Sequence, residues 1–310
     1  MEIIKPQFEI WEQQPGEQGI YEQIERCGRV CYKSEGHKTT DSARPFVERM
    51  IKSQHTAMLE HGTVYLTLPM TKADGEPGCV YNKVAIDAGN AFSRNPFSHV
   101  NMDENAYYVT TNLRVLVEND WMALLSYLTE PTALHDRRVT VHFTTQVAIT
   151  REFNRHRANS IAEQSTRYCN YSKDKFGGQI GINLPSWVAS SQADDATGLP
   201  HTGSADDFLA LATKVADGSA NDLENWLFAN MAAERAYMNL IAAGRKPQEA
   251  RVVLPLDTNT ELVHTAFTSD WKHFFDLRAL GTTGAPHPDA KALAQPLYEA
   301  FVEKGYIRKA

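Results

Sequence analysis

The chain has 310 residues, 42% of them hydrophobic and 22% charged, with 31 Lys+Arg against 38 Asp+Glu and a formal net charge of −7. That length buries a core without disulfide or metal staples, and that composition excludes wholesale disorder. The acidic balance argues against bulk nucleic-acid binding, and no apolar run approaches the roughly 18 residues a membrane span needs. The opening MEIIKPQFEIWEQQ has no basic segment ahead of an apolar one, so no secretory leader is expected. Cys27, Cys31, Cys79 and Cys169 form no C-x-x-C pair and read as reduced thiols of a cytoplasmic protein.

In chain order, Ile20, Ile24, Cys27 and Cys31 recur at helical spacing and predict a first helix. Thr40 or Asp41 is the expected cap of a second, with Pro45 in its first turn and Phe46, Val47 and Met50 inside. His61–Leu68 alternates as a strand, whereas 69–105 holds Gly, Pro, Asn and Asp with little periodicity and reads as a long loop or insertion. Tyr107–Thr111 reads as a strand and Leu113–Thr129 as a helix. Arg138–Thr145 alternates again, is expected to pair with the earlier strand, and leads into a helix over Gln146–Arg157. After a Ser/Ala/Asp/Gly linker at 191–204, the segment 205–243 is helical, broken near Gly218, with Leu223, Trp226, Leu227, Asn230 and Met231 inward. Gln248–Leu254 is a short helix stopped by Pro255, Glu261–Thr265 is extended, and two helices finish the chain. Helices outnumber strands and do not alternate with them, so the expected class is α+β.

The chemistry concentrates in Arg151-Glu-Phe-Asn-Arg-His-Arg157, a turn-prone stretch Ala158–Gln164, and Ser165-Thr-Arg-Tyr168. Four arginines and one histidine fall within eighteen residues, and Arg151 and Arg155 are spaced to share a helix face. Guanidinium forks suit phosphates and planar heterocycles. An arginine cluster is ordinarily a solvated face. Here Asn159, Ser160, Gln164, Ser165 and Tyr168 are interleaved, which favours a nucleotide or phosphate site. His135, Asp136, His55 and His61 give no metal-ligand spacing, so no zinc is expected.

Arg155-His156-Arg157, seven residues and Ser165 resemble the R-H-R-x7-S signature of flavin-dependent thymidylate synthases. Three further stretches are similar in the same order: His55-Thr-Ala-Met-Leu-Glu60-His61, Ala250-Arg251-Val-Val-Leu-Pro-Leu256, and Trp271-Lys-His273-Phe-Phe-Asp-Leu-Arg278. The resemblance implies reductive methylation of dUMP to dTMP, with methylenetetrahydrofolate as carbon donor and NADPH as reductant through bound FAD. It implies a complex α+β fold of the thymidylate synthase-complementing type, a central antiparallel sheet flanked by helices. It implies one domain over 1–310 with an insertion at about 69–105, and a homotetramer with sites between subunits.

Residue roles follow from the same resemblance. Arg155, His156 and Arg157 match positions that hold FAD, as do Glu163, His273 and His55. Glu152, Arg155, Glu163, Gln164, Ser165, Thr166, Arg167 and Arg251 match the dUMP site. Arg278 matches the catalytic arginine held to ionise the uracil N3, a role that suits a fixed cation. The sequence departs from the pattern at Glu152, where many members carry glutamine, at Val30-Cys31-Tyr32, where a Val-Ser pair often occurs, and at Phe267, commonly small or polar. A carboxylate at 152 repels the dUMP phosphate unless neighbouring arginines neutralise it.

Ser165 lacks the elbow and base of a serine nucleophile and reads as a substrate hydrogen bond. Cys169 and His287 read as structural. Two alternatives remain open on the sequence: a non-catalytic nucleotide- or RNA-binding module using the same arginines and tyrosines, and a flavin enzyme that methylates another uridine. The net charge itself is local. Asp194, Asp195, Asp206, Asp207, Asp217, Asp222, Glu224 and Glu234 stand against Lys214 alone, and the remaining chain balances at 30 against 30. The acidity reads as one solvated face, leaving the arginine segment free for small anions.

Overall fold

The computed structural model describes residues 1–71, 81–191 and 204–309. Strands β1 (Glu2–Ile4) and β2 (Gln7–Trp11) precede helices α1 (Gly16–Val30) and α2 (Ala43–Lys52), a 3-10 turn at Thr56–His61, and β3 (Thr63–Pro69). Next come α3 (Lys83–Phe92), β4 (His99–Met102), β5 (Ala106–Asn112), α4 (Leu113–Glu118), β6 (Arg138–Gln146), α5 (Val147–Phe153), β7 (Ser160–Glu163), β8 (Gly181–Asn183) and α6 (Ser186–Ser191). The chain ends with α7 (Ala205–Asp217), α8 (Asp222–Ala242), α9 (Pro247–Ala250), β9 (Asn259–Phe267), α10 (Thr268–Phe275) and α11 (Pro288–Glu303).

The class is α+β, with antiparallel sheets flanked by helices. A four-stranded sheet runs in the order β2-β6-β9-β7 and a three-stranded one in the order β3-β5-β4, every pairing antiparallel. β1 and β8 form a short parallel pair. β6 and β9 pair along nine residues, from Arg138 opposite Phe267 to Gln146 opposite Asn259. One face of this pair, through Val139, Val141, Phe143 and Leu262, packs on Phe153 of α5, Trp271, Phe274 and Phe275 of α10, and Leu297 and Phe301 of α11. The three-stranded sheet has its own core against α1 and α2, built on Ile20, Ile24, Phe46, Leu59, Val64, Leu66 and Val109. α8 lays Trp226, Leu227 and Met231 over Ile180, Ile182 and Met1. α7 and α8 each start with a reciprocal capping box, Ser204 with Asp207 and Asn221 with Glu224, and Gly218 ends α7 at φ 77.

Several sequence expectations are corrected. The strand over Arg138–Gln146 pairs with β2 and β9, not with the strand after His61, which belongs to the other sheet. β2 has the alternation of an edge strand but only five residues. α3 and β4 occupy the 69–105 segment read as loop; Asn82 caps α3 through the Ala85 amide. The helix expected over Leu113–Thr129 stops at Glu118, because Asp120 turns left-handed at φ 60, and resumes as a 3-10 turn at Met122–Tyr127. α2 starts after Ser42, not Thr40 or Asp41, and the Ser42 hydroxyl binds Glu25 rather than capping. Ala158–Gln164, read as a turn, contains β7, whose ladder to β9 supplies pairing that its short apolar run does not announce. Cys79 and most of the 191–204 linker lie outside the described residues. No described helix is long and apolar enough to cross a membrane, and no metal-ligand cluster occurs among the described residues.

Candidate active site

α5 runs inward with Ile149 and Phe153 buried and ends when the Asn154 amide donates to Thr150 O. The chain then turns. The His156 amide donates to Phe153 O and the Asn159 amide to His156 O, so the imidazole of His156 goes inside while Arg155 and Arg157 stay exposed. Arg155 therefore lies beyond the helix, and Arg151 and Arg155 do not share a helical face as their spacing suggested. Neither Arg155 nor Arg157 is paired with a carboxylate among the described residues.

Arg278 reaches the same place from 122 residues further along the chain than His156. α10 continues into a π-helical turn, Asp276–Leu280, closed by Gly281 at φ 68. From that turn Arg278 Nε donates to His156 Nε2 at 3.2 Å, Nη2 to the Glu152 carbonyl at 2.8 Å, and Nη1 to Glu152 Oε2 at 2.5 Å. Burial first, then the charges of Arg278 and His273, push the His156 pKa down to about 4, so the ring is neutral at neutral pH. Because Nε2 accepts, the contact assigns the proton to Nδ1, a buried atom with no partner. His273 is exposed, its ring edge-on to His156 with centroids 5.6 Å apart.

A second group forms at the far end of β7. The Glu163 carboxylate accepts from Thr150 Oγ1 at 2.8 Å and Asn154 Nδ2 at 2.9 Å, tying the strand end to α5. Gln164 is buried, its amide on Glu261 O. The Ser165 amide donates to Cys31 O at 2.9 Å, the Arg167 amide to Ser165 Oγ, and Arg251 Nη1 to Thr166 Oγ1 at 3.1 Å. Arg167 lies over the ring of Tyr168, which packs on Tyr32. Cys31 and Tyr32 also line a cavity of about 790 Å³ with Arg49, Met58 and His55, and His55 is exposed at the start of its 3-10 turn.

The sequence-derived residues thus fall into two groups joined by β7 and α5. Arg278, His156, Glu152 and His273 make one; Glu163 to Arg167 with Arg251 make the other, with His55 on the adjoining cavity. The departure at Glu152 is met by an arginine, Arg278 itself. Phe267 stacks flat on His99, centroids 3.6 Å apart.

Sequence reasoning passed over Arg138. It begins an ordinary alternating strand, and only its register opposite Phe267 marks it. Its guanidinium donates to Glu60 O, Thr63 Oγ1 and Ser160 Oγ, its Nε has no partner, and burial lowers its pKa to about 10. With Arg157, Asn159, His99 and Phe267 it lines a cavity of about 370 Å³. Asn159 Nδ2 donates to His264 Nδ1 at 3.0 Å, leaving Asn159 Oδ1 buried and unpaired. Burial raises the Cys169 thiol to about 11, in keeping with a structural residue, and His287 Nδ1 caps α11 by accepting from the Asp289 amide.

No curated protein matches the chain. Two solved structures align over 98% of it. One is a UMP/dUMP methylase PolB from Streptomyces cacaoi bound with 5-Br dUMP, at 16% identity, 93% of that chain and a TM-score of 0.40. The other is the same methylase bound with 5-Br UMP, at 15% identity, 92% of that chain and a TM-score of 0.42. The model of the thymidylate synthase complementing protein family matches residues 129–304, which include the arginine turn, β7, Arg251 and the α10 turn. With more than half of its length matched, the chain belongs to the thymidylate synthase complementing protein family.

Proposed function

We propose that the chain is a flavin-dependent thymidylate synthase, one domain over residues 1–310 that converts dUMP to dTMP with methylenetetrahydrofolate as carbon donor and NADPH as reductant through FAD. Family membership supports a methylating enzyme of the thymidylate synthase type. The observation that carries the finer reading is the meeting of Arg278 with His156 beside two arginines that have no carboxylate partner among the described residues.

Unpartnered polar atoms and free guanidiniums among the described residues support FAD as the bound group. His156 Nδ1, Asn159 Oδ1 and Arg138 Nε are buried polar atoms without partners, which a large polar cofactor would satisfy. Arg155 and Arg157 project outward beside them and would hold its phosphates. When bound, FAD supplies the two electrons that come from NADPH. Glu163, His273 and His55 complete the cofactor side in this reading, although Glu163 acts through Thr150 and Asn154 as much as by contact.

The chain's own residues do the rest. Arg167 and Arg251, with Arg155, bind the dUMP phosphate, and Gln164, Ser165 and Thr166 orient nucleotide and base by hydrogen bonds. Arg278 is held in place by the Glu152 carbonyl and by neutral His156, so its charge is fixed before substrate arrives. A fixed cation at N3 stabilises the uracil anion and raises electron density at C5. We further propose that the site is completed between the subunits of a homotetramer. Val252 is 79% exposed and Tyr168 56%, an apolar rim around Arg251 of the kind a neighbour covers.

The visible absorption spectrum of the purified protein, with and without dUMP, tests this reading. A yellow protein whose flavin bands shift on adding dUMP is expected. A colourless protein that takes up no flavin on reconstitution overturns it.

A further inference from the structure

We propose that Glu152 is a positioning residue that occupies Arg278 as an internal stand-in for the substrate's anionic edge, and that its carboxylate leaves Nη1 when the nucleotide binds. The inference rests on the proposed reading of Arg278 as the arginine that meets the uracil.

The three contacts of Arg278 do different work. Nε on His156 and Nη2 on the Glu152 carbonyl fix the plane of the guanidinium through a buried ring and a main-chain atom. Nη1 on Glu152 Oε2 alone carries charge to charge. With that carboxylate in place the fork is neutralised, and a second anion gains little from it. Burial decides which partner moves. The Arg278 side chain is 14% exposed and the Glu152 side chain 43%, so the carboxylate has water to swing into while the guanidinium does not.

The surroundings support the same direction of movement. α5 is anchored to the end of β7 through Thr150 and Asn154 on Glu163, one on each side of Glu152, so the backbone carbonyl that orients Arg278 stays put. Only the carboxylate is left to respond. His156 stays neutral and offers no competing charge. Arg155, one residue before His156, is exposed, and no carboxylate among the described residues holds it. A nucleotide phosphate brought to Arg155 adds a like charge near Glu152 and drives it further from the fork.

Binding of dUMP to the FAD-loaded protein is measured for wild type, Glu152→Gln, Arg278→Gln and the double variant. Glu152→Gln keeps the main-chain acceptor and an amide oxygen for Nη1 while removing the charge. Its dissociation constant for dUMP is expected to fall by roughly twofold to fivefold, the range for release of a half-exposed ion pair. KM for dUMP falls with it, and KM for NADPH stays. Glu152→Ala, which retains the carbonyl, changes affinity in the same direction. With Arg278→Gln as background the gain disappears, as coupling through that pair requires. Unchanged or weaker binding in Glu152→Gln overturns the inference and leaves the proposed function standing, as does a gain that survives without Arg278. Failure of the wild type to bind dUMP overturns both.

Discussion

At the scale of single residues, Arg278 and the buried histidines carry the most exposed claims. Replacing Arg278 by glutamine removes the fixed cation but keeps a planar donor, and turnover is expected to fall by about 10²–10³ with a smaller loss of dUMP affinity. Steady-state kinetics with dUMP check this; an unchanged kcat rules Arg278 out of the chemistry. Burial lowers the pKa of His61 to about 3, of His156 to about 4 and of His264 to about 3, with Arg138 adding to the shift at His61. These histidines take up protons in the unfolded chain near pH 6.5 and in the folded one only far below it. Their contribution to stability is therefore complete above about pH 6.5 and lost as pH falls toward 3, at up to about 1.4 kcal/mol per pH unit for each. A melting temperature that declines between pH 7 and pH 5 is expected from thermal scans, and a flat profile contradicts it. The arginines were legible as a cluster because guanidiniums so close together, interleaved with Asn, Ser and Gln, have few bland explanations. Arg138 was not legible. Nothing in an alternating strand tells that its first cation is half-buried, with Nε enclosed and no carboxylate among the described residues bonded to it.

At the scale of elements, the turn after α10 sets where Arg278 points. Gly281 closes that turn at φ 68, and a Cβ there meets Gly284 O and Pro286 Cδ at 3.0 Å. Gly281→Ala is expected to destabilise the protein by about 1–2 kcal/mol in urea unfolding and to lower activity more than stability alone explains. Equal stability and activity would show that the turn does not aim Arg278. Helix positions were legible where apolar spacing repeats over several turns, as in α1 and α8. Strand partners were not. The alternation of Arg138–Gln146 says that one face is buried but not against which neighbour, and β2, at five residues, and β7, at four, gain their structure from the ladder rather than from their own composition. The arginine turn shows the same limit. Residues 146–157 have helical composition, yet the helix stops at Phe153, and that stop is what separates buried His156 from exposed Arg155 and Arg157.

For the whole molecule, the acidity that first argued against anionic partners is confined to one region. Asp206 and Asp207 start α7 and Asp222 and Glu224 start α8, where carboxylates suit the helix dipole. Glu234 is the exception to a solvated face, since it pairs with the Met1 ammonium and accepts from the Ile180 amide. The arginine turn lies outside this stretch of the sequence, and no carboxylate among the described residues pairs with Arg155 or Arg157, so small anions meet local guanidiniums there. If the apolar rim around Arg251 is a subunit contact, Val252→Asp is expected to reduce the assembly from tetramer to smaller species in light scattering and to lower activity with it. A wild-type protein that is monomeric and fully active contradicts that proposal. The central claim is that these residues assemble a flavin-dependent methylation of dUMP, and tritium release from C5-labelled dUMP tests it most directly. Release that requires both NADPH and methylenetetrahydrofolate, with dTMP and tetrahydrofolate as products, is the expected result; no release with both present, or release and methylation that proceed unchanged in protein stripped of flavin, contradicts the account.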